Sequence, residues 1–166
     1  AGNVYFEGDY SISIWVKWET CKMWDRILDF NQDAPMSGNA VTWLIGRPAQ
    51  GTRNNMWFDQ WVQYEGKAVE SILDQRHSSP ADAYVGHEVT TLVWEHYVLV
   101  YDSTAQNPNG VQPNTKGENV PLEGVVTLYV DGRKVGENTH CLKPQHVETV
   151  ANWLGRSRFA ADPYFN

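Results

Sequence analysis

Residues 125–136, Val-Val-Thr-Leu-Tyr-Val-Asp-Gly-Arg-Lys-Val-Gly, carry the clearest alternation of apolar and polar positions in the chain. Val126, Leu128 and Val130 alternate with Thr127 and Tyr129, the period-two pattern of a strand with one buried face. Asp131-Gly132 then predicts a tight hairpin turn, because a two-residue turn of the right twist needs positive φ, where Gly is unstrained and Asp is tolerated. An apolar strand folded on a short return strand must cover its buried face, so the hairpin implies an antiparallel sheet within a larger β structure.

The same pattern recurs along the chain. Residues 3–7 predict a short first strand and Gly8-Asp9 a turn. Residues 11–18 put Ile12, Ile14, Val16 and Trp18 on one face, which reads as core. Residues 24–30 predict a third strand, with Trp24, Arg26, Leu28 and Phe30 on one side and Asp25, Ile27 and Asp29 on the other. A loop over 31–39 carries Pro35 and Gly38 and leads to an apolar strand over 40–46. A polar turn region over 47–55 precedes a strand over 56–64, which bears Trp57 and Trp61. A turn at Glu65-Gly66-Lys67 then leads into a strand over 68–73. Residues 74–88 are loop by composition, 92–102 the second-strongest strand, and 103–124 a long loop rich in Asn, Pro and Gly. Residues 137–149 read as irregular, 150–155 as a short strand and 156–166 as a turn-rich end. Many short strands, frequent turn signals and almost no helical period predict an all-β, antiparallel β-sandwich, with no internal repeat and no interdomain linker.

Composition narrows the partners. At 166 residues the chain is long enough to bury a core as one domain without disulfides or metals. A net charge of −7 and a pI near 5.1 argue against nucleic acid or an anionic membrane, which call for a basic face. No apolar run approaches the roughly 18 residues that span a bilayer, and no signal-peptide pattern is present. A chain beginning Ala-Gly-Asn reads as a processed chain or a piece of a larger protein. Cys21 and Cys141 lie far apart without CxxC spacing; they read either as one disulfide or as two thiols, and not as a zinc site. No Asn-x-Ser/Thr acceptor is present.

Eight tryptophans are the most distinctive chemistry, since indole faces suit stacking on sugar rings. Trp18, Trp24 and Trp94 fall on faces that read as core, whereas Trp15, Trp57 and Trp61 fall on other or ambiguous faces and are ligand-binding candidates. Arg47, Arg53, Asn54 and Asn55 would add a polar rim to Trp57 if the 47–55 loop lies beside that strand. The five histidines show no ligand spacing, and His96 reads as a structural hydrogen-bonding residue at a strand start. Calcium is a candidate ligand of loop Asp and Asn oxygens, although no Asp-x-Asn-x-Asp loop is present.

Taken in order, these segments resemble the laminin-G-like, concanavalin-A-like jelly-roll family, in the branch found as modules of cell-surface and secreted proteins. Asp9-Tyr10-Ser11-Ile12-Ser13-Ile14-Trp15-Val16-Lys17 looks like that family's second strand, and Trp24-Asp25-Arg26-Ile27-Leu28-Asp29-Phe30 like its third. His96-Tyr97-Val98-Leu99-Val100-Tyr101-Asp102 with Val126-Thr127-Leu128-Tyr129-Val130-Asp131-Gly132 resembles its long central pair. Trp153-Leu154-Gly155-Arg156-Ser157 through Asp162-Pro163-Tyr164-Phe165-Asn166 is the most specific stretch. The resemblance implies turn or ion-pair roles for Asp102, Arg156 and Asp162 that fix loops.

Two departures stand out. The family joins its central pair by a short connection, where this chain has residues 103–124, and it continues past the Pro-Tyr-Phe-Asn equivalent into a last strand. The expected fold is therefore a jelly roll with its last strand missing from this chain. Related sandwiches can hold a calcium-binding Asp in that segment, so the resemblance transfers no metal site.

Some members of the wider clan are glycoside hydrolases, which need two carboxylates about 5–5.5 Å apart for retention or about 6.5–9.5 Å for inversion. Positions i and i+2 on a strand lie roughly 6.6 Å apart and i, i+4 roughly 13 Å apart. Asp25 and Asp29 share a predicted face at the longer spacing, and Glu7-x-Asp9, the sole i, i+2 acid pair, runs into a turn. The first expectation is accordingly a non-catalytic module of an extracellular or cell-surface protein that binds glycan or a protein partner. A structural building block of an extracellular assembly, in contact with neighbouring subunits, is the second, and a glycoside hydrolase the third.

Overall fold

The computed structural model describes residues 8–20, 22, 24–31, 40–46, 55–64, 67–73, 89–105, 112–113, 119–120, 124–138, 151–156 and 160. Eleven strands and no helix occur among them: β1 Tyr10–Lys17, β2 Arg26–Asn31, β3 Ala40–Gly46, β4 Asn55–Tyr64, β5 Lys67–Leu73, β6 Trp94–Asp102, β7 Gln112–Pro113, β8 Asn119–Val120, β9 Val125–Val130, β10 Arg133–Asn138 and β11 Ala151–Leu154. They form a four-stranded sheet in the order β1-β6-β9-β10, a five-stranded sheet in the order β11-β2-β3-β4-β5, and a small β7-β8 ribbon. All pairings within these sheets are antiparallel, and the chain is a β-sandwich as the alternation predicted.

The hairpin that opened the analysis is β9–β10. Asp131 and Gly132 sit at φ 48° and 76°, so both central residues have the positive φ of the turn whose twist matches its strands. Asp131 does more than turn the chain. Its N–H donates to the His96 carbonyl, and its Oδ1 accepts the His96 N–H at 2.9 Å. The carboxylate thus continues the β6–β9 ladder one step past Tyr97↔Val130, where strand pairing has ended. Asp9 does the same at the far end of β1, where its Oδ1 accepts the Ser103 N–H at 2.7 Å.

Strand β6 is the spine of the four-stranded sheet. Tyr97, Leu99 and Tyr101 face inward with Val126, Leu128 and Val130 of β9 and with Val16 of β1, and all are buried. Tyr10 lies directly opposite Tyr101, and their rings stack at 5.4 Å. Each fully buried aliphatic side chain here contributes about 1.5–3 kcal/mol. Glu95 also points inward and accepts the hydroxyl hydrogen bond of Tyr97, two residues along the same face.

Several boundaries and faces differ from expectation. Strand β6 begins at Trp94 because Leu92 turns the chain at φ 66°. Trp94, expected in the core, is 61 % exposed: with Glu95, Tyr97, Leu99 and Tyr101 inside, its parity is outward. Asp25 and Trp24 precede β2 in a turn closed by Asp25 N–H donating to the Lys22 carbonyl, with Trp24 at φ 71° and half-buried. The 103–124 loop contains the β7–β8 ribbon, and β10 extends to Asn138 into a stretch read as irregular. The predicted strand over 3–7 lies outside the described residues.

The largest difference is a β-bulge in β2. Arg26 pairs with Leu44 but Leu28 with Trp43, so Ile27 is an extra residue. The bulge reverses the expected parity and places Arg26 on the face of Asp29 rather than of Leu28 and Phe30. The cross-strand row Leu28–Trp43–Phe58–Leu73 then marks the core side, where Leu28 and Phe58 are buried.

Candidate functional site

On the side of the five-stranded sheet opposite Leu28 and Phe58, the register assembles a different set of positions. Trp153, Asp29, Thr42, Asp59 and Ile72 form one cross-strand row. Asn31, Ala40, Trp61 and Glu70 form the row on one side of it, and Arg26, Leu44 and Trp57 the row on the other. Asn55, Trp57, Asp59 and Trp61 share this face because they alternate along β4. Three of the predicted ligand residues, Trp57, Trp61 and Asn55, are thus brought together on one face, joined by Trp153 from β11.

Within that face, on β2, lies a buried polar group that the bulge creates. Arg26 Nε stands 3.2 Å from Asp29 Oδ2, an i, i+3 pair that a regular strand would put on opposite sides. Asn31 donates Nδ2–H to Asp29 Oδ1 at 3.2 Å, and Arg26 donates Nη1–H to the Trp24 carbonyl at 3.1 Å. Asp29 and Asn31 are fully buried and Arg26 nearly so. On the other side of Trp153, the Arg156 guanidinium sits 4.5 Å from the centre of the indole ring.

Asp25 and Asp29, expected to share a face at a spacing too long for hydrolysis, do not lie on one strand, since β2 begins at Arg26. Asp25 is a turn residue: its Oδ2 accepts the Lys22 N–H at 2.7 Å, and burial pushes its carboxyl up from the ordinary range against the lowering effect of that bond and of the Lys22 charge. A different pair, Asp29 and Asp59, lies two strands apart on one face, roughly 9.6 Å from interstrand spacing and close to the inverting range. Reasoning along single strands misses it. Asp29, however, is sealed from solvent and held by Arg26 and Asn31, so it has no path to a substrate.

Trp15 stands apart from this set, on the outer face of the other sheet. Its ring stacks on His96 at 4.9 Å, and the Ser13 hydroxyl lies 2.8 Å from His96 Nε2, so His96 has the structural role expected. Asp102 closes the turn after β6: its Oδ1 accepts from the Thr104 hydroxyl, the Thr104 N–H and the Ala105 N–H, and these bonds hold its carboxyl below the ordinary range. Arg47, Arg53, Asp162, Cys21 and Cys141 lie outside the described residues. Among the described residues no group of three or more His, Cys, Asp or Glu could hold a metal. Among the described residues there is no helix long and apolar enough to cross a membrane.

Two antiparallel sheets, with no helix among the described residues, define a β-sandwich of the jelly-roll kind. The sequence model of the concanavalin A-like lectin/glucanases superfamily matches residues 1–166, and the chain belongs to that family, in its laminin-G-like branch. Laminin-G-like domains are generally non-catalytic and typically extracellular. Comparison with curated proteins finds no match.

Proposed function

We propose that the chain is a non-catalytic recognition module of an extracellular or cell-surface protein, and that it binds glycan across the face of the five-stranded sheet that carries positions 57, 59 and 61. The observation that carries this reading is the register that gathers Trp57, Trp61 and Trp153 on one face around Asp59. Trp57 and Trp61 are four residues apart on a strand, roughly 13 Å, so one sugar ring cannot reach both and an oligosaccharide can. Asp59, Thr42 and Glu70 hold register positions on the same face, and their residue types suit hydrogen bonding to hydroxyls. The β2 part of this face is held by the Arg26–Asp29–Asn31 group, which limits movement of β2.

A glycan array followed by calorimetry tests it. The chain binds at least one oligosaccharide, and Trp57→Ala and Trp61→Ala each weaken binding about tenfold with the thermal midpoint unchanged. Absence of any glycan binding removes the reading. Calcium and a chelator form parallel arms, since loop oxygens remain candidate ligands. Release of reducing sugar that Asp59→Asn abolishes would replace the non-catalytic reading with hydrolysis.

A further inference from the structure

We propose that β1 is the contact strand of a two-fold dimer, in which it pairs antiparallel with β1 of a second copy about Ser13 and joins the two four-stranded sheets into one. Strand β1 lies at the end of the order β1-β6-β9-β10, and among the described residues no strand pairs with its other edge. The hydrogen bonds of His96 show which groups face that edge. Its carbonyl accepts the Asp131 N–H and its N–H donates to Asp131 Oδ1, so both point away from β1. Trp15, directly opposite His96, therefore turns its own N–H and C=O away from β6, and by the alternation of an antiparallel ladder Ser11 and Ser13 do the same. Trp18, of the other parity, has its carbonyl on the β6 side, where it accepts the Leu92 N–H.

Edge strands that stay single are commonly blunted by bulges, charges or shortness. Strand β10, at the far end of the same sheet, has a bulge between Lys134 and Gly136 and carries Arg133, Lys134 and Glu137. Strand β1 has none of this: its register runs unbroken through 8 residues without proline, and Lys17 is its one charge. Its apolar side is also unfinished. Ile12 and Ile14 stand opposite Leu99 and Tyr97, which are fully buried, yet they are themselves only half-buried. An added strand covers them.

Charge selects a second copy as that strand and fixes its register. A two-fold axis keeps like faces together only when residues of the same parity meet. Centred on Ser13, it sets Ser11 opposite Trp15 of the second copy, Ile12 opposite its Ile14, and Asp9 opposite its Lys17 at both ends. Roughly six backbone hydrogen bonds form, two where Ser13 meets its mate and two at each Ser11–Trp15 pair. Among the described residues Lys17 has no ion pair, and Asp9 gives one oxygen to the Ser103 N–H and keeps the other for Lys17. Exposed Glu19 falls outside this ladder, which ends where Gly8 turns the chain at φ 70°. A centre at Ile14 would set Asp9 against Glu19, like charge against like, and a centre at Ile12 would set Asp9 against Trp15 and leave Lys17 without a mate. The contact closes on itself, so both β1 edges are used and none remains to propagate.

Sedimentation velocity across a concentration series, with the axis residue varied, tests this. The chain sediments as a dimer that dissociates on dilution. Ser13→Lys and Ser13→Asp each place like charges across the axis and weaken association about tenfold, while an equimolar mixture of the two restores it as a heterodimer. Lys17→Glu, which sets an acid against Asp9, weakens it as well. Ser13 is exposed, and an unchanged circular dichroism spectrum shows that the variants fold. A monomer at every concentration, the state expected if a strand of a longer polypeptide covers this edge, overturns the proposal. So does a dimer that the Ser13 variants leave intact, or one that the mixture fails to restore.

Discussion

Gly124, immediately before β9, adopts φ 73°. A Cβ built on it would stand 2.5 Å from the Asp102 carbonyl oxygen, 2.9 Å from Ser103 Cα and 2.9 Å from Tyr101 Cζ. Two of these atoms are backbone, and the third belongs to a buried ring stacked on Tyr10, so none can swing aside. Gly124→Ala therefore meets two costs. Positive φ costs an L residue roughly 1–2 kcal/mol, and overpacking typically adds about 1–3 kcal/mol. The total, about 2–5 kcal/mol, is a large part of the roughly 5–15 kcal/mol that holds a domain folded. At about 2–4 °C per kcal/mol for a chain of this size, the thermal midpoint falls by roughly 5–20 °C. Gly132→Ala is the control: its φ is 76°, but nothing lies within 4 Å of the added Cβ, so it bears the conformational cost without the steric one. Urea denaturation of the two variants side by side isolates the steric part. If Gly124→Ala lies within about 0.5 kcal/mol of Gly132→Ala, the close approach of Gly124 to the end of β6 is refuted.

Substitutions in three other polar groups follow. Arg26→Met strands the buried Asp29 carboxylate and costs about 3–5 kcal/mol in urea denaturation, and adding Asp29→Leu recovers most of it; a loss below about 1 kcal/mol would mean the pair is hydrated. Asp131→Asn keeps both the turn geometry and the acceptor for His96 N–H and is near neutral, while Asp131→Ala costs about 1–2 kcal/mol by thermal melting. Asp102 has its carboxyl lowered by the Thr104 and Ala105 bonds, so its stabilisation is present above the ordinary aspartate value of about 3.9 and is lost as pH falls through the lower folded value. Asp102→Ala thus flattens the acid limb of a melting-temperature profile below about pH 4, and an unchanged limb would contradict it. Asp25 works in the opposite sense, since burial raises it and its penalty grows as pH rises.

The elements that the sequence made legible are those whose pattern one strand contains. The β9–β10 hairpin needed only alternation and Asp-Gly, and β3 and β4 needed only apolar runs between turn residues. What escaped was set by neighbouring strands. In β6 both parities are largely apolar, Trp94, Val98 and Val100 against Tyr97, Leu99 and Tyr101, and the inward set includes Glu95, which looks like a surface residue until Tyr97 is seen to bond it. In β2 the bulge at Ile27 breaks period two, so the faces of Arg26 and Asp25 came out wrong. The candidate site was half legible for the same reason: Trp57 and Trp61 share a parity that anyone can count, but the approach of Trp153 and Asp29 requires the order β11-β2-β3-β4.

That order also bears on how the chain reaches its fold. Strands β2 to β5 pair with their sequence neighbours and can zip together as they emerge from a ribosome. Strand β1 cannot, because Tyr10 waits for Tyr101, and Asn31 waits for Ala151 to complete the other edge. Strand β1 is therefore held unpaired until β6 has been made, which predicts slow, non-local folding on the millisecond-to-second scale of β-sandwiches. Until β6 arrives, Ile12, Ile14 and Val16 form an unguarded apolar face on an unpaired strand, and that interval is when this chain is most exposed to aggregation or chaperone capture.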